Sequence, residues 1–87
     1  MVKYTLYTET KDNLTDLVSK YFKSATINNT NIGLWEGKKE PCTKIELIIE
    51  ESLRNSIKLE SLVSDIKVVN EQESVLLTKE CPLIWWL

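Results

Sequence analysis

Residues 2–22 read VKYTLYTETKDNLTDLVSKYF, and the change of period inside this stretch decides the fold. Val2, Tyr4, Leu6 and Thr8 share one side of an extended chain while Lys3, Thr5, Tyr7 and Glu9 share the other, the period of two of a half-buried strand. Thr10 to Asn13 breaks the alternation. Leu14, Leu17, Val18, Tyr21 and Phe22 then follow at helical spacing, with Asp12 or Asn13 placed to accept a hydrogen bond from the free amides of the first turn.

Working outward, Ala25 to Trp35 reads as a second strand, with Ile27 at one end and Ile32 and Leu34 at the other. The parity of the apolar residues shifts across Asn28 to Asn31, which predicts a bulge or a loop there. Glu36 to Pro41 carries Gly37 and Pro41 and is expected to turn the chain back, so that Thr43 to Ile49 forms a third strand with Ile45, Leu47 and Ile49 inward. A second helix starts between Ser52 and Ser56 and carries a stripe of Leu59, Leu62, Val63, Ile66 and Val69, with Ile57 and Val68 off the stripe. Glu73 to Lys79 is the last strand, containing Val75, Leu76 and Leu77, and Pro82 ends its pairing. The tail Leu83-Ile84-Trp85-Trp86-Leu87 is wholly apolar.

Two strand-helix-strand units of this size predict an α+β domain, an antiparallel sheet with both helices on one face. Right-handed crossovers favour the ferredoxin-like βαββαβ arrangement with strand order 4-1-3-2. In that arrangement the turn between strands two and three, the first residues and the tail are expected at one end of the sheet. Cys42 and Cys81 then lie there two strands apart, roughly 9 to 10 Å, too far for a bridge within one subunit, which needs Cα atoms closer than about 7 Å.

The 87 residues make a single domain, residues 1–87, with the apolar tail at 82–87. A chain this short buries only about two thirds of its unfolded surface and gains core by oligomerising. Its 43% apolar and 28% charged residues are those of an ordinary globular protein. With 11 Lys and Arg against 13 Asp and Glu, the formal charge of -2 gives no dense basic surface for non-specific nucleic-acid binding. The N-terminus lacks the apolar core of a signal peptide, no stretch reaches membrane-spanning length, and two distant cysteines form no disulfide framework; a reducing cytoplasm is expected.

Enzyme chemistry finds little support. There is no His, hence neither the usual base near neutral pH nor the commonest transition-metal ligand. Gly33 and Gly37 are the only glycines, so no phosphate-cradling loop exists, and no cofactor is expected. Glu46, Glu50, Glu51, Glu71 and Glu73 lack the spacing of a hard-cation site and read as solvated or helix-terminal charge, so no metal site is expected.

The stretch Gly33-Leu34-Trp35-Glu36-Gly37-Lys38-Lys39-Glu40 is the best candidate binding segment. An aromatic beside two ammonium groups suits stacking a base and holding its phosphates; the bland reading is a hairpin in which Trp35 packs and the lysines are solvated. The tail poses a second question, since five exposed large side chains would each forgo roughly 1.5 to 3 kcal/mol of burial. It either closes over its own domain or packs on another subunit, and the second is favoured.

In the order of its elements the chain resembles the PII-like proteins, and most of all their CutA branch. Trp35-Glu36-Gly37-Lys38 matches the aromatic, spacer and Gly-Lys that end the second strand there, Lys44-Ile45-Glu46-Leu47-Ile48-Ile49 matches the aliphatic third strand, and Trp85-Trp86-Leu87 matches the closing aromatic. The resemblance implies a ferredoxin-like subunit in a homotrimer with ligand sites in clefts between subunits. The family's His-Pro-Tyr and Pro cluster is replaced by Asn70-Glu71-Gln72-Glu73-Ser74, and its Lys-Thr by Glu50-Glu51, so metal binding is not carried over. The Lys, Asn and Ile-rich composition also suits small proteins of bacteriophages.

The expectation is a non-catalytic oligomeric protein holding or sequestering a small anionic ligand, a nucleotide being the favoured class. Trp35 would stack, Lys38 and Lys39 would pair with phosphate, and Tyr7, Glu40 and Glu73 are weaker candidates. Leu83, Ile84, Trp85, Trp86 and Leu87 would form the oligomer interface. The alternative is a protein-binding inhibitor of phage type, acting on a host protein through a sheet edge or the tail.

Overall fold

The computed structural model describes residues 1–10, 13–71 and 75–81, with Trp35 described by its backbone. Its elements are β1 (Val2–Glu9), α1 (Leu14–Tyr21), β2 (Thr26–Trp35), β3 (Lys38–Ile49), α2 (Leu53–Asn70) and β4 (Leu76–Glu80). They form one antiparallel sheet of order β2-β3-β1-β4, the expected order read from its other edge. This is the ferredoxin-like βαββαβ fold.

The alternation in β1 becomes the two faces of the sheet. Val2, Tyr4, Leu6 and Thr8 are buried beneath the helices, and the register sets Leu6 between Ile45 of β3 and Leu77 of β4. Ile45 and Leu47 supply the matching inward residues of β3, while Leu14, Val18 and Phe22 close the core from the first helical segment and Leu59, Leu62 and Ile66 from α2. Tyr21 of α1 donates a hydrogen bond of 2.5 Å to Asp65 Oδ2 of α2, and Lys20 Nζ lies 3.4 Å from the same oxygen. The two helices are therefore pinned to each other as well as to the sheet.

Both helix starts differ in chemistry. Ser52 caps α2, its side chain accepting from the Asn55 amide at 3.1 Å. Asn13 occupies the cap position of α1 in a left-handed conformation, φ 72°, and its side chain makes no capping bond. Asn tolerates that backbone better than most residues, so here it serves the turn and not the cap. Asp12 lies outside the described residues.

Several expectations are corrected. The connection between β2 and β3 is Glu36-Gly37 alone, both with positive φ (48° and 78°), as the tight primed hairpin turns require. Lys38 to Pro41 therefore belongs to β3, paired with Trp35 to Ile32. Pro41 is tolerated because β1 reaches no further than Cys42, so its missing N–H removes nothing from the β1–β3 ladder. The register does slip between Asn28 and Asn31, where Asn28 Oδ1 accepts from the Thr30 amide and hydroxyl at 2.9 and 2.8 Å.

At the end of α2 the stripe changes hands. Val69 is 47% exposed, and Asn70 turns inward instead, donating to Thr8 Oγ1 at 3.0 Å and to the Glu9 carbonyl at 3.3 Å. β4 starts at Leu76, three residues later than Glu73, with Val75 packed against the core ahead of it.

The placement of the ends is also corrected. β1 pairs Val2 with Ile49, Lys3 with Glu80 and Glu9 with Cys42, so the first residues and Cys81 lie at one end of the sheet while Cys42 and the hairpin turn lie at the other. β1 and β3 run antiparallel, so the end at which β1 begins is the end at which β3 finishes, and the hairpin that opens β3 lies at the far end. The cysteines stand about seven strand residues apart along the sheet, roughly 23 Å, and both are free.

Two outcomes follow from this packing. Leu62→Ala, at a fully buried position, is expected to cost about 2 to 5 kcal/mol, whereas Val68→Ala, at a position 75% exposed, should stay within about 0.5 kcal/mol; urea denaturation reads both. The second outcome concerns pH. The hydrogen bond from Tyr21 is the main reason the Asp65 carboxyl sits below its ordinary pKa; partial desolvation opposes it and Lys20 adds to it. A depressed folded pKa stabilises the fold above the unfolded carboxylate pKa, and that contribution is lost as pH falls through the folded value. Asp65→Asn should thus flatten the acid limb of the stability profile below about pH 4, as read by denaturation at a series of pH values.

Candidate functional site

β3 outruns β1. From Ile32 to Pro41 the second and third strands pair only with each other, so they leave the body of the sheet as a two-stranded arm. Four paired residues per strand carry this arm about 13 Å beyond the last β1 partner, which accords with a molecule measuring 39 × 24 × 18 Å.

The base of the arm is fixed by buried polar bonds. Thr43, fully buried, donates its hydroxyl proton to Asn29 Oδ1 at 2.9 Å. Its oxygen therefore accepts from Thr10, 3.0 Å away. Asn70 ties Thr8 and Glu9 to the end of α2 beside it. A helix end, the bulge and the ends of two strands thus converge where the arm begins.

Pairing fixes which arm residues share a face. Trp35 opposes Lys38 and Gly33 opposes Glu40, giving one face; Leu34 opposes Lys39 and Ile32 opposes Pro41, giving the other. The two lysines, adjacent in sequence, accordingly fall on opposite faces. Lys38, Lys39 and Glu40 are exposed, and none of them takes part in an ion pair among the described residues. Ile32 and Leu34 are 71% and 73% exposed.

Of the sequence-predicted residues, the arm gathers Trp35, Lys38 and Glu40 on one face, with Lys39 at the same tip on the reverse. Tyr7 does not join them within one subunit. It pairs with Lys44, six residues along β3 from Lys38, a separation of roughly 20 Å. Glu73 and the tail Leu83 to Leu87 lie outside the described residues.

Around Tyr7 the uncovered face of the sheet carries a cluster that sequence reasoning passed over. Glu46 lies 3.1 Å from Lys44 and 3.4 Å from Lys3, and Thr5 between the strands is only 4% exposed although no helix covers it. The hydrogen bond from Lys44 holds the Glu46 carboxyl below its ordinary pKa against desolvation, with help from Lys3. Glu46 in turn raises Lys44. The signal was present in the alternation of Lys44-Ile45-Glu46-Leu47, whose charged members must share a face; the bond partners came from β1. Glu51, also considered as a cation ligand, instead pairs with Lys79.

A groove of about 410 Å³ lies on the opposite edge, between α2 and β4, lined by Ser56, Leu59, Glu60, Val63, Ser64, Lys67 and Leu77. No group of three His, Cys, Asp or Glu side chains among the described residues is placed to hold a metal ion. No helix among them is long and apolar enough to cross a membrane.

No protein-family model matches the chain, and no curated protein matches it significantly. Two solved structures do. One is CPII, a nitrogen regulatory PII-like protein from Thiomonas intermedia K12, bound to ADP, AMP and bicarbonate; it is 17% identical, with a TM-score of 0.61 over 91% of this chain and 86% of that one. The other is the de novo designed protein Foldit4, 11% identical, with a TM-score of 0.50 over 94% and 96% of the two chains. A designed chain reaching the same topology shows that topology alone assigns no activity. What the two matches establish is the fold: the chain has the ferredoxin-like architecture found in a PII-like nitrogen regulatory protein.

Proposed function

We propose that the chain is a non-catalytic, cytoplasmic homo-oligomer, a trimer by analogy with the resemblance noted above, that holds a small anionic ligand in clefts between its subunits. A nucleotide is the class that fits. Trp35 stacks on the base, Lys38 beside it pairs with phosphate, Lys39 reaches phosphate from the reverse of the arm, and Glu40 contacts a polar group of the ligand. Tyr7 and Glu73 enter from a neighbouring subunit, since Tyr7 stands too far from the arm in its own.

The observation that carries this reading is the arm tip. It presents Lys38, exposed and outside every ion pair among the described residues, on the same face as Trp35, away from the body of its own subunit. The fold is shared with a protein described as bound to ADP and AMP, which supports the choice of ligand class.

Trp35→Ala should remove stacking of about 1 to 3 kcal/mol. Lys38→Gln should weaken affinity more than Lys39→Gln, because only Lys38 shares the stacking face, and each should flatten the salt dependence. Calorimetric titration with mono-, di- and cyclic nucleotides reads all three, with folding checked by circular dichroism. Folded variants that bind as tightly as the parent would place the site elsewhere.

A further inference from the structure

The arm and the α2–β4 groove are complementary surfaces that one subunit cannot bring together. An isolated two-stranded ribbon is marginal in water, yet this one exposes Ile32 and Leu34 side by side on one face. The groove offers Leu59, Val63 and Leu77 at its floor and wall. Strand order puts the arm on the β2–β3 side of the sheet and the groove at the β4 edge, two strands away, so the arm cannot fold back into its own groove.

We propose that the Ile32–Pro41 arm of one subunit seats in the α2–β4 groove of a second copy of this chain. Dimensions and charge agree. The groove follows α2 from Ser56 to Lys67, about 16 Å of helix, against an arm of about 13 Å. Lys39 shares the apolar face of the arm, Glu60 stands on the groove wall, and neither takes part in an ion pair among the described residues. Seating brings them together as Ile32 and Leu34 cover Val63 and Leu77. The face bearing Trp35, Lys38 and Glu40 stays turned away from the groove, open to ligand. The inference rests on the oligomeric part of the reading above; it draws Lys39 into the subunit contact in place of the phosphate role given it there, and leaves the ligand to the face of Trp35, Lys38 and Glu40.

Because arm and groove are different surfaces, the contact is head to tail, and in the trimer proposed above three such contacts close a ring. This gives a test that a self-complementary contact, through the open sheet face or the tail, does not pass. Ile32→Glu with Leu34→Glu disables the arm, and Ser64→Trp fills the groove; all three positions are exposed. Size-exclusion chromatography with light scattering should find each variant at the 10.1 kDa subunit mass and their equimolar mixture at twice that mass, since one intact arm still meets one intact groove. As a second route that disturbs less packing, Lys39→Glu should weaken assembly and Glu60→Lys in the same chain should restore it.

A monomeric parent, single variants that assemble like the parent, or a mixture that stays at the subunit mass overturns the contact, and so does a charge exchange that fails to restore assembly. Nucleotide titration of the parent separates the two readings. Binding without the expected assembly pattern removes the contact and leaves the ligand site, whereas the expected assembly with no nucleotide bound does the reverse.

Discussion

The pairing of β1 with β3 on one side and β4 on the other is the constraint from which the rest of the molecule follows. Leu6 lies between Ile45 and Leu77, and Tyr4 between Leu47 and Lys79. A slip of one residue would send the helix-facing side chains Val2, Tyr4, Leu6 and Thr8 of β1 to the opposite face, so hydrophobic burial specifies the register. The same register fixes how far β3 extends past Glu9, and therefore the existence and length of the arm.

Where β1 stops, hydrophobic packing gives way to hydrogen bonding. Thr8, Thr10, Asn29, Thr43 and Asn70 occupy the region under the arm, and their donors and acceptors meet at 2.9 to 3.0 Å. Buried polar groups are costly when unmatched, but matched they hold a particular geometry. The bulge at Asn28 to Asn31 is part of that geometry, because the extra residue in β2 brings Asn29 to the level of Thr43. The arm thus leaves the sheet from a fixed base, with Ile32 and Leu34 exposed beyond it.

The proposed function rests on this asymmetry of surfaces and not on the fold as such. A regulatory protein and a designed one both share the topology. What distinguishes this chain is an arm with a charged face bearing Lys38 and Glu40 and an apolar one bearing Ile32 and Leu34, a charged cluster of Lys3, Lys44 and Glu46 on the open sheet, and a groove at the far edge. In the proposed reading, ligand binding and subunit contact divide between the two faces of one arm, so that assembly would position the ligand site without occupying it.

By itself the sequence determined the element order, the helix-facing sides of β1 and β3 and the bulge, because each follows from the period of apolar residues over short distances, and it pointed to the antiparallel order of the four strands through the handedness of the crossovers. It also marked Trp35 to Glu40 as the segment to watch. Tertiary structure alone decided that Lys38 and Lys39 part to opposite faces, that Tyr7 lies about 20 Å from the arm tip, that Cys42 and Cys81 sit at opposite ends, and that Asn70 displaces Val69 from the core. The expected loop from Glu36 to Pro41 proved to be two residues of turn within a long ribbon, since the positive φ of Glu36 and Gly37 becomes legible only once both strands are in place. Local periodicity records which side of an element is buried; it holds no record of where one strand ends relative to its neighbour, and that relative length, set by long-range pairing, is what makes the arm.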